Sequence, residues 1–313
     1  PPVVTTLRPG SYAPYSAVVI GSKRQFDSLI TTSDYRASKA HNYPERSSVT
    51  TYNYRPQRRI TTYSHMKKKY GLIGYPLVHS FSKSFFNRKF ESEHIDAEYI
   101  NFEIADVREL KNVLRDNPDL CGLNVTLPYK TAVIPLLDDL TDNARSIGAV
   151  NVIKFRGRHF GRPRLEGHNS DITGFKESIE PLLGPSHRKA LILGTGGASK
   201  AVFHGLKQLG LGATYVSRSR KPACLTYADL TPKVMEQYTV IVNATPVGMY
   251  PKVDECPNIP YDLLTPSHLL YDLLYNPDET LFMRRGREQG AEVKNGLEML
   301  LLQAFAAWQI WNS

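Results

Sequence analysis

Lys130 closes the stretch GLNVTLPYK (122–130), in which Leu123, Val125 and Leu127 alternate with polar residues at the period of a half-buried strand. Pro128 interrupts the alternation, and proline favours the first position of a helix, where its missing N–H has no partner to lose. The spacing predicts that the strand carries Thr126 to its C-terminal edge and that Lys130 stands in the first helical turn beyond it. That edge is where α/β proteins keep their ligands and their chemistry.

A second candidate is the turn Gly194-Thr195-Gly196-Gly197-Ala198-Ser199, which follows the apolar run KALIL and precedes the amphipathic AVFHGLKQLG. Glycines between a strand and a helix let the backbone approach a pyrophosphate, with the N–H groups of the helix aimed at it. Ser199 departs from the G-x-G-x-x-G pattern at its third glycine, and a plain tight turn also explains many such runs. The next strand indicates which dinucleotide fits. An NAD site places an acid at its end to accept from the ribose hydroxyls, whereas this one ends Val216-Ser217-Arg218-Ser219-Arg220-Lys221 with no acid before Asp229. Arginine there suits a 2′-phosphate, which calls for positive charge and planar donors. The expected cofactor is NADP(H).

Other chemistries find less support. Cys121, Cys224 and Cys256 are widely spaced and form no C-x-x-C pair, which points to reduced thiols and a cytoplasmic setting. The histidines are scattered and no H-E-x-x-H set occurs, so no metal is expected. The apolar segment LEMLLLQAFAAWQIW (297–311) is shorter than the roughly 20 residues needed to cross a bilayer and carries Gln303 and Gln309. It reads as a helix packed on the body of the protein, and no membrane partner is expected.

These residues need elements to position them. From Met66 onward, strand-like and helical runs alternate, the signature of an α/β protein. Residues 69–74, 97–104 and 121–126 read as strands; 82–93, 107–117 and the segment after Pro128 read as helices. RGRHFGRPRLEG (156–167) reads as a hairpin whose arginines form a solvated tip and not a phosphate patch. A second alternation starts at residue 189, with strands at KALILG, ATYVSR, TVIVNAT (239–245) and LLYDLLY (269–275).

Residues 1–65 differ from the rest. They hold nine Lys/Arg and three Asp/Glu, so +6 of the net charge of +9 belongs to them and only +3 to the remainder. The basic charge therefore describes a leader and not the body, and no nucleic-acid partner is expected. The leader is rich in Ser, Thr, Tyr, Arg and Pro and lacks a sustained period. A transit peptide, a polyanion-binding arm and a functionless upstream extension all fit its composition. Its seven tyrosines speak against the first, and the third is the plainest reading.

Seven segments together resemble one family, the shikimate dehydrogenases: HSFSKS (79–84), NVTLPYK (124–130), IGAVN (147–151), NSDITG (169–174), GTGGAS (194–199), NATPVGM (243–249) and NGLEMLLLQ (295–303). They occur in the family's order and cover about residues 70–311. The resemblance implies reversible NADPH-dependent reduction of 3-dehydroshikimate to shikimate, on the way to chorismate and the aromatic amino acids. It also implies an α/β substrate-binding domain (66–168 with 295–313) and a Rossmann-like doubly wound NADP-binding domain (169–294), with the last helix returning to the first. Lys130 matches the catalytic lysine and Asp171 its acidic partner. Ser80, Ser82, Thr126, Asn151, Tyr275 and Gln303 match residues around the substrate. Gly194, Thr195, Gly196, Gly197, Ala198, Ser217, Arg218, Ser219, Asn243, Thr245 and Met249 are the expected cofactor contacts, in a monomer or homodimer whose partner is a small molecule.

The residue types suit that chemistry. Hydride delivery to a ketone leaves charge on oxygen, so a proton donor must stand within hydrogen-bond reach. A helix start works against an ammonium at Lys130, and the Asp171 carboxylate works for it. A polyhydroxylated acid also calls for neutral donors and acceptors, which Ser, Thr, Asn and Gln supply. The chain departs from the family at Ser170, where threonine is usual, and at Ser217 and Ser219, which flank Arg218 in place of Asn and Thr. Two other readings stay open: a quinate/shikimate dehydrogenase, and a silent relative that senses pathway intermediates, although the latter would be expected to lose Lys130 or Asp171.

Overall fold

The computed structural model describes residues 67–77, 80–159 and 162–313. The leader 1–65 and His79 of the HSFSKS motif lie outside the described residues, as does the hairpin tip at 160–161.

Two six-stranded sheets organise the chain. The first is built from β1 (Lys68–Gly74), β2 (Ala97–Glu103), β3 (Leu120–Val125), β4 (Asp139–Leu140), β5 (Val152–His159) and β6 (Arg162–His168), in the order β2-β1-β3-β5-β6-β4. β1 pairs parallel with β2 and β3, while β3–β5 and β5–β6 are antiparallel. Helices α1 (Phe81–Ser92) and α2 (Leu110–Asp116) connect the first three strands, in the βαβ manner that parallel neighbours require. The helix expected over 107–117 is split. Asp106 and Glu109 form a capping box on a tight 3₁₀ turn at Val107–Glu109, and the α-helix begins only at Leu110.

Two expectations about the opening stretch need correction. β3 lies in mid-sheet with both faces covered, Leu123 and Val125 by the core that includes Val133 and Gly122 by the Trp311 indole, so it is buried on both faces rather than half-buried. Leu127, expected on the same face as Leu123 and Val125, lies past the strand and is 67% exposed. Pro128 precedes the helix as its N-cap, and α3 (Tyr129–Ala132) is a single turn that gives way to a 3₁₀ turn at Ile134–Leu136. The Lys130 carbonyl accepts from Val150 N in place of Ile134 N, and Pro135 has no N–H for the bond after that, so the α-helix does not run on. A one-turn helix carries little macrodipole, which removes most of the positive-end influence expected on Lys130.

After α4 (Asp142–Ile147) and the β5–β6 hairpin, α5 (Asp171–Ile179) leads into the second sheet. This sheet contains β7 (Lys189–Leu193), β8 (Gly212–Ser217), β9 (Cys224–Thr226), β10 (Val240–Asn243), β11 (Leu269–Asp272) and β12 (Glu292–Lys294). Every pairing is parallel and the order is β12-β11-β10-β7-β8-β9. Helices α6 (Gly197–Gln208), α7 (Pro232–Gln237) and α8 (Leu281–Glu288) lie along the crossovers. The chain winds outward from β7 in both directions, so the switch point of a doubly wound sheet falls between β7 and β10.

The final helix α9 (Leu297–Asn312) packs back on the first sheet. Its Leu301, Ala304, Ala307 and Trp311 share a core with Tyr70, Phe86, Tyr99 and Val152. Trp311 lies so close over β3 that a Cβ on Gly122 would come within 2.4 Å of the indole, and its Nε1 donates to the Ile153 carbonyl at 3.2 Å. α5 packs against both α9 and α6. Its Phe175 and Ile179 join the core of the second sheet. The helix that begins with Asp171 thus stands between the two halves.

Candidate functional site

Lys130 and Asp171 meet. Lys130 Nζ donates to Asp171 Oδ2 at 2.7 Å, with side-chain exposures of 20% and 12%. Local backbone structure explains why each arrives there. Tyr129 N donates to the Thr126 carbonyl, which closes the turn out of β3. Val150 N donates to the Lys130 carbonyl at 2.7 Å and pins the turn against the IGAVN segment. Asp171 is the first residue of α5, where a carboxylate is favoured by the helix N-terminus. Asn169 braces that start by accepting from Ile172 N at 3.2 Å and donating to the Ala149 carbonyl at 3.0 Å.

Asn151 holds the acid from behind. Its Nδ2 donates to Asp171 Oδ1 at 2.8 Å and lies 3.0 Å from Ser170 Oγ, while its Oδ1 accepts from Ser170 N at 2.7 Å. Ser170 retains the hydroxyl of the family's threonine and is fully buried. Behind Asn151, Asn124 Nδ2 donates to its backbone carbonyl at 3.2 Å, and Tyr99 OH donates to Asn124 Oδ1 at 2.7 Å. Burial raises the Tyr99 hydroxyl well above the usual phenolic range, so it stays a donor at neutral pH. Tyr99 and Asn124 did not stand out in the sequence. The available signal was a polar residue in each of two strands whose neighbours are apolar.

None of the remaining substrate-side expectations hydrogen-bonds to this pair among the described residues. Ser80 is the N-cap of α1, its Oγ accepting from Lys83 N at 3.1 Å, and Ser82 lies in the first turn of the same helix. Thr126 sits just past β3, partly buried. Gln303 donates to the Leu300 carbonyl of its own helix and abuts Gly174, where a Cβ would come within 3.0 Å of it. Tyr275 follows β11 and is 44% exposed.

The glycine turn lies at the switch point. Gly194 adopts φ +102°, and a Cβ there would meet Thr245 Cγ2 at 2.9 Å, so both backbone and space demand glycine. A Cβ at Gly196 or Gly197 would meet nothing within 4 Å, and no side chain caps the N-terminus of α6. Ser199, in the place of the third glycine, is buried and turns its hydroxyl onto the Gly196 carbonyl at 2.6 Å, which explains why a polar residue is tolerated there. Arg218 is exposed beyond β8. Lys221 Nζ reaches back to Thr195 Oγ1 at 2.9 Å. Asp229, the first acid after β8, is occupied by the Thr226 N–H and hydroxyl, both at 2.7 Å, which hold its carboxyl below the usual range. Its Oδ2 is taken by Thr226, and its Oδ1 lies 3.9 Å from Arg220. An open backbone at a helix start, with cations and no competing acid nearby, fits a phosphorylated dinucleotide.

Across the switch point, Asn243 Oδ1 accepts from Thr245 N at 3.0 Å and Thr245 Oγ1 at 2.6 Å. This shapes the turn that leads to the exposed Met249. Asn243 Nδ2 donates to Asp272 Oδ1 at 3.0 Å. Asp272 was not picked out from the sequence, although an acid in the apolar run LLYDLL was a visible anomaly.

Arg156 pairs with Glu166 at 2.7 Å and Arg164 lies 3.7 Å from Asp139, and both arginine side chains remain more than half exposed. The three cysteines are free thiols. Among the described residues, no group of three or more His, Cys, Asp or Glu could hold a metal ion, and no helix is long and apolar enough to cross a membrane.

The model of the shikimate dehydrogenase substrate binding domain matches residues 72–153. A shikimate dehydrogenase (NADP(+)) of Desulforamulus reducens is 35% identical over 264 residues, covering 77% of this chain and 89% of that protein. Among solved structures, the Thermus thermophilus shikimate 5-dehydrogenase in complex with NADP(H) and shikimate is 29% identical, with a TM-score of 0.67, covering 78% of this chain and 93% of that one. A Corynebacterium glutamicum quinate dehydrogenase in complex with NAD is 26% identical, with a TM-score of 0.69, covering 78% and 93%. With that identity and coverage behind the site geometry, the chain belongs to the shikimate dehydrogenase family.

Proposed function

We propose that this chain catalyses the reversible NADPH-dependent reduction of 3-dehydroshikimate to shikimate. Residues 66–168 and 295–313 would bind the substrate, and 169–294 the dinucleotide. The observation that carries the reading is the 2.7 Å contact of Lys130 with Asp171, braced by Asn151, at the C-terminal edge of β3. Family membership supports it.

When bound, the dinucleotide supplies or accepts the hydride. The open backbone at Gly196 and Gly197 and the uncapped start of α6 would hold its pyrophosphate, and Arg218 a 2′-phosphate. In the reductive direction, Lys130 Nζ gives a proton to the keto oxygen as charge develops on it, and in the reverse direction it takes the proton back. Asp171 aims the ammonium through Oδ2, while Asn151 fixes the carboxylate through Oδ1. Ser80, Ser82, Thr126, Tyr275 and Gln303 would orient the carboxylate and hydroxyls of the substrate.

A quinate-oxidising enzyme is the competing reading. The exposed Arg218 at the end of β8 favours NADP over the NAD such an enzyme often uses. The test is spectrophotometric oxidation of shikimate and of quinate with NADP⁺ and with NAD⁺. The expected result is shikimate with NADP⁺ as the best pair by at least about tenfold in kcat/KM, and a preference for quinate with NAD⁺ overturns the proposal.

A further inference from the structure

Asp272 is fully buried at the end of β11, directly opposite Asn243 in the β10–β11 register. Its Oδ1 accepts from Asn243 Nδ2 and from Leu274 N, both at 3.0 Å, and its Oδ2 accepts from Thr280 Oγ1 at 2.7 Å. Three donors, one from β10 and two from the ends of the loop after β11, converge on one carboxylate. Asn243 shapes the turn after β10, whose Thr245 methyl group packs beside Gly194. Leu274 starts the loop that carries Tyr275, and Thr280 ends that loop as the N-cap of α8. Tyr250 N also meets the Asn276 carbonyl at 3.4 Å, so the two loops touch beyond the carboxylate.

A buried carboxylate is costly unless its hydrogen bonds are met. Here they are met by groups that also fix the loops on either side of the site, so losing the carboxylate frees both loops at once. Lys130 and Asp171 are braced separately, through Asn151 and Asn169.

We propose that Asp272 is a positioning residue that holds the loops after β10 and β11 in mutual register and thereby sets affinity for the dinucleotide without touching it. The inference rests on the functional reading above. It is tested by calorimetric titration of NADP⁺ and, separately, of shikimate into wild type and the variants Asp272→Ala, Asp272→Asn and Thr280→Val, with thermal unfolding of each. Asp272→Ala is expected to weaken NADP⁺ binding about tenfold, the scale of one lost charge-assisted hydrogen bond, with shikimate binding weakened less, by about threefold, through the loosened loop of Tyr275. Asp272→Asn keeps an acceptor for Asn243 and Leu274 and can donate to Thr280, so it should restore affinity to within about threefold. Thr280→Val removes a single tether and should cost about threefold; it decides the matter if Asp272→Ala does not fold. Folded variants that bind NADP⁺ as wild type does, or that lose shikimate affinity equally, overturn the inference. A wild type that binds shikimate but no dinucleotide overturns the functional reading and this inference with it.

Discussion

Replacing Lys130 with alanine removes the proposed proton donor and leaves its surroundings largely intact. The backbone bond from Val150 N to the Lys130 carbonyl does not involve the side chain, so the turn after β3 should survive. Asp171 keeps Asn151 Nδ2 at 2.8 Å and loses the ammonium at 2.7 Å. The pair is neither fully exposed nor fully buried, so the stability cost falls between the limits for those cases, at about 1–2 kcal/mol. The catalytic cost is larger. Loss of a positioned acid or base lowers turnover by about 10²–10⁴, which corresponds to about 3–5 kcal/mol of transition-state stabilisation. The same ammonium also donates to the ground-state oxygen, but more weakly, because less charge has developed there. KM for 3-dehydroshikimate should therefore rise less than tenfold while kcat carries most of the loss. Initial rates of NADPH consumption across a range of 3-dehydroshikimate concentrations measure both constants, and calorimetry checks that the variant still binds shikimate. Turnover within tenfold of wild type in a folded Lys130→Ala variant would refute the assignment. A kcat unchanged beside a greatly raised KM would make Lys130 a binding group only.

Three other outcomes follow from the geometry. A Cβ on Gly174 would approach the Met299 carbonyl to 2.5 Å and Gln303 N to 2.9 Å. Gly174→Ala must therefore push α5 off α9 at a cost of about 1–3 kcal/mol, seen as a lower unfolding midpoint together with reduced kcat, because Asp171 rides on the same helix. Arg218→Ala should raise KM for NADPH about 10–100-fold, the scale of a lost charge-assisted contact, and leave KM for NADH within about threefold; equal effects on both would remove Arg218 from 2′-phosphate recognition. Burial pushes the Asp272 carboxyl from 3.8 up to about 6. Because the folded state favours its protonated form, its contribution to stability is fully present below about pH 4 and is lost as pH rises through 6. The loss is about 3 kcal/mol at 1.36 kcal/mol per pKa unit. Asp272→Asn should then gain about that much relative to wild type between pH 4 and 7 in denaturant unfolding, and a pH-independent difference would contradict the shift.

The sequence by itself determined the alternation of strands and helices after Met66, the glycine turn between a strand and a helix, and the lysine placed just beyond a strand. These are local properties, written in periods of a few residues and in the backbone preferences of glycine and proline. It also determined which residues belonged together, through the order of seven family motifs, and the pairing of Lys130 with Asp171 was legible only in that way. Tertiary structure decided what depends on contacts between distant segments. β3 proved buried on both faces and not half-buried because Trp311, from the far end of the chain, covers Gly122 opposite the core of Leu123 and Val125, a partner that no local pattern announces. The helix after Pro128 shrank to one turn, and Leu127 turned out to solvent. Ser199 could replace a glycine because the Gly196 carbonyl was in reach of its hydroxyl. Asp272 passed unremarked in an apolar strand, and its place became evident only where Asn243, Leu274 and Thr280 converge on it. A polar residue buried in a core is explained only by the partners that satisfy it, and those partners are brought together by the fold.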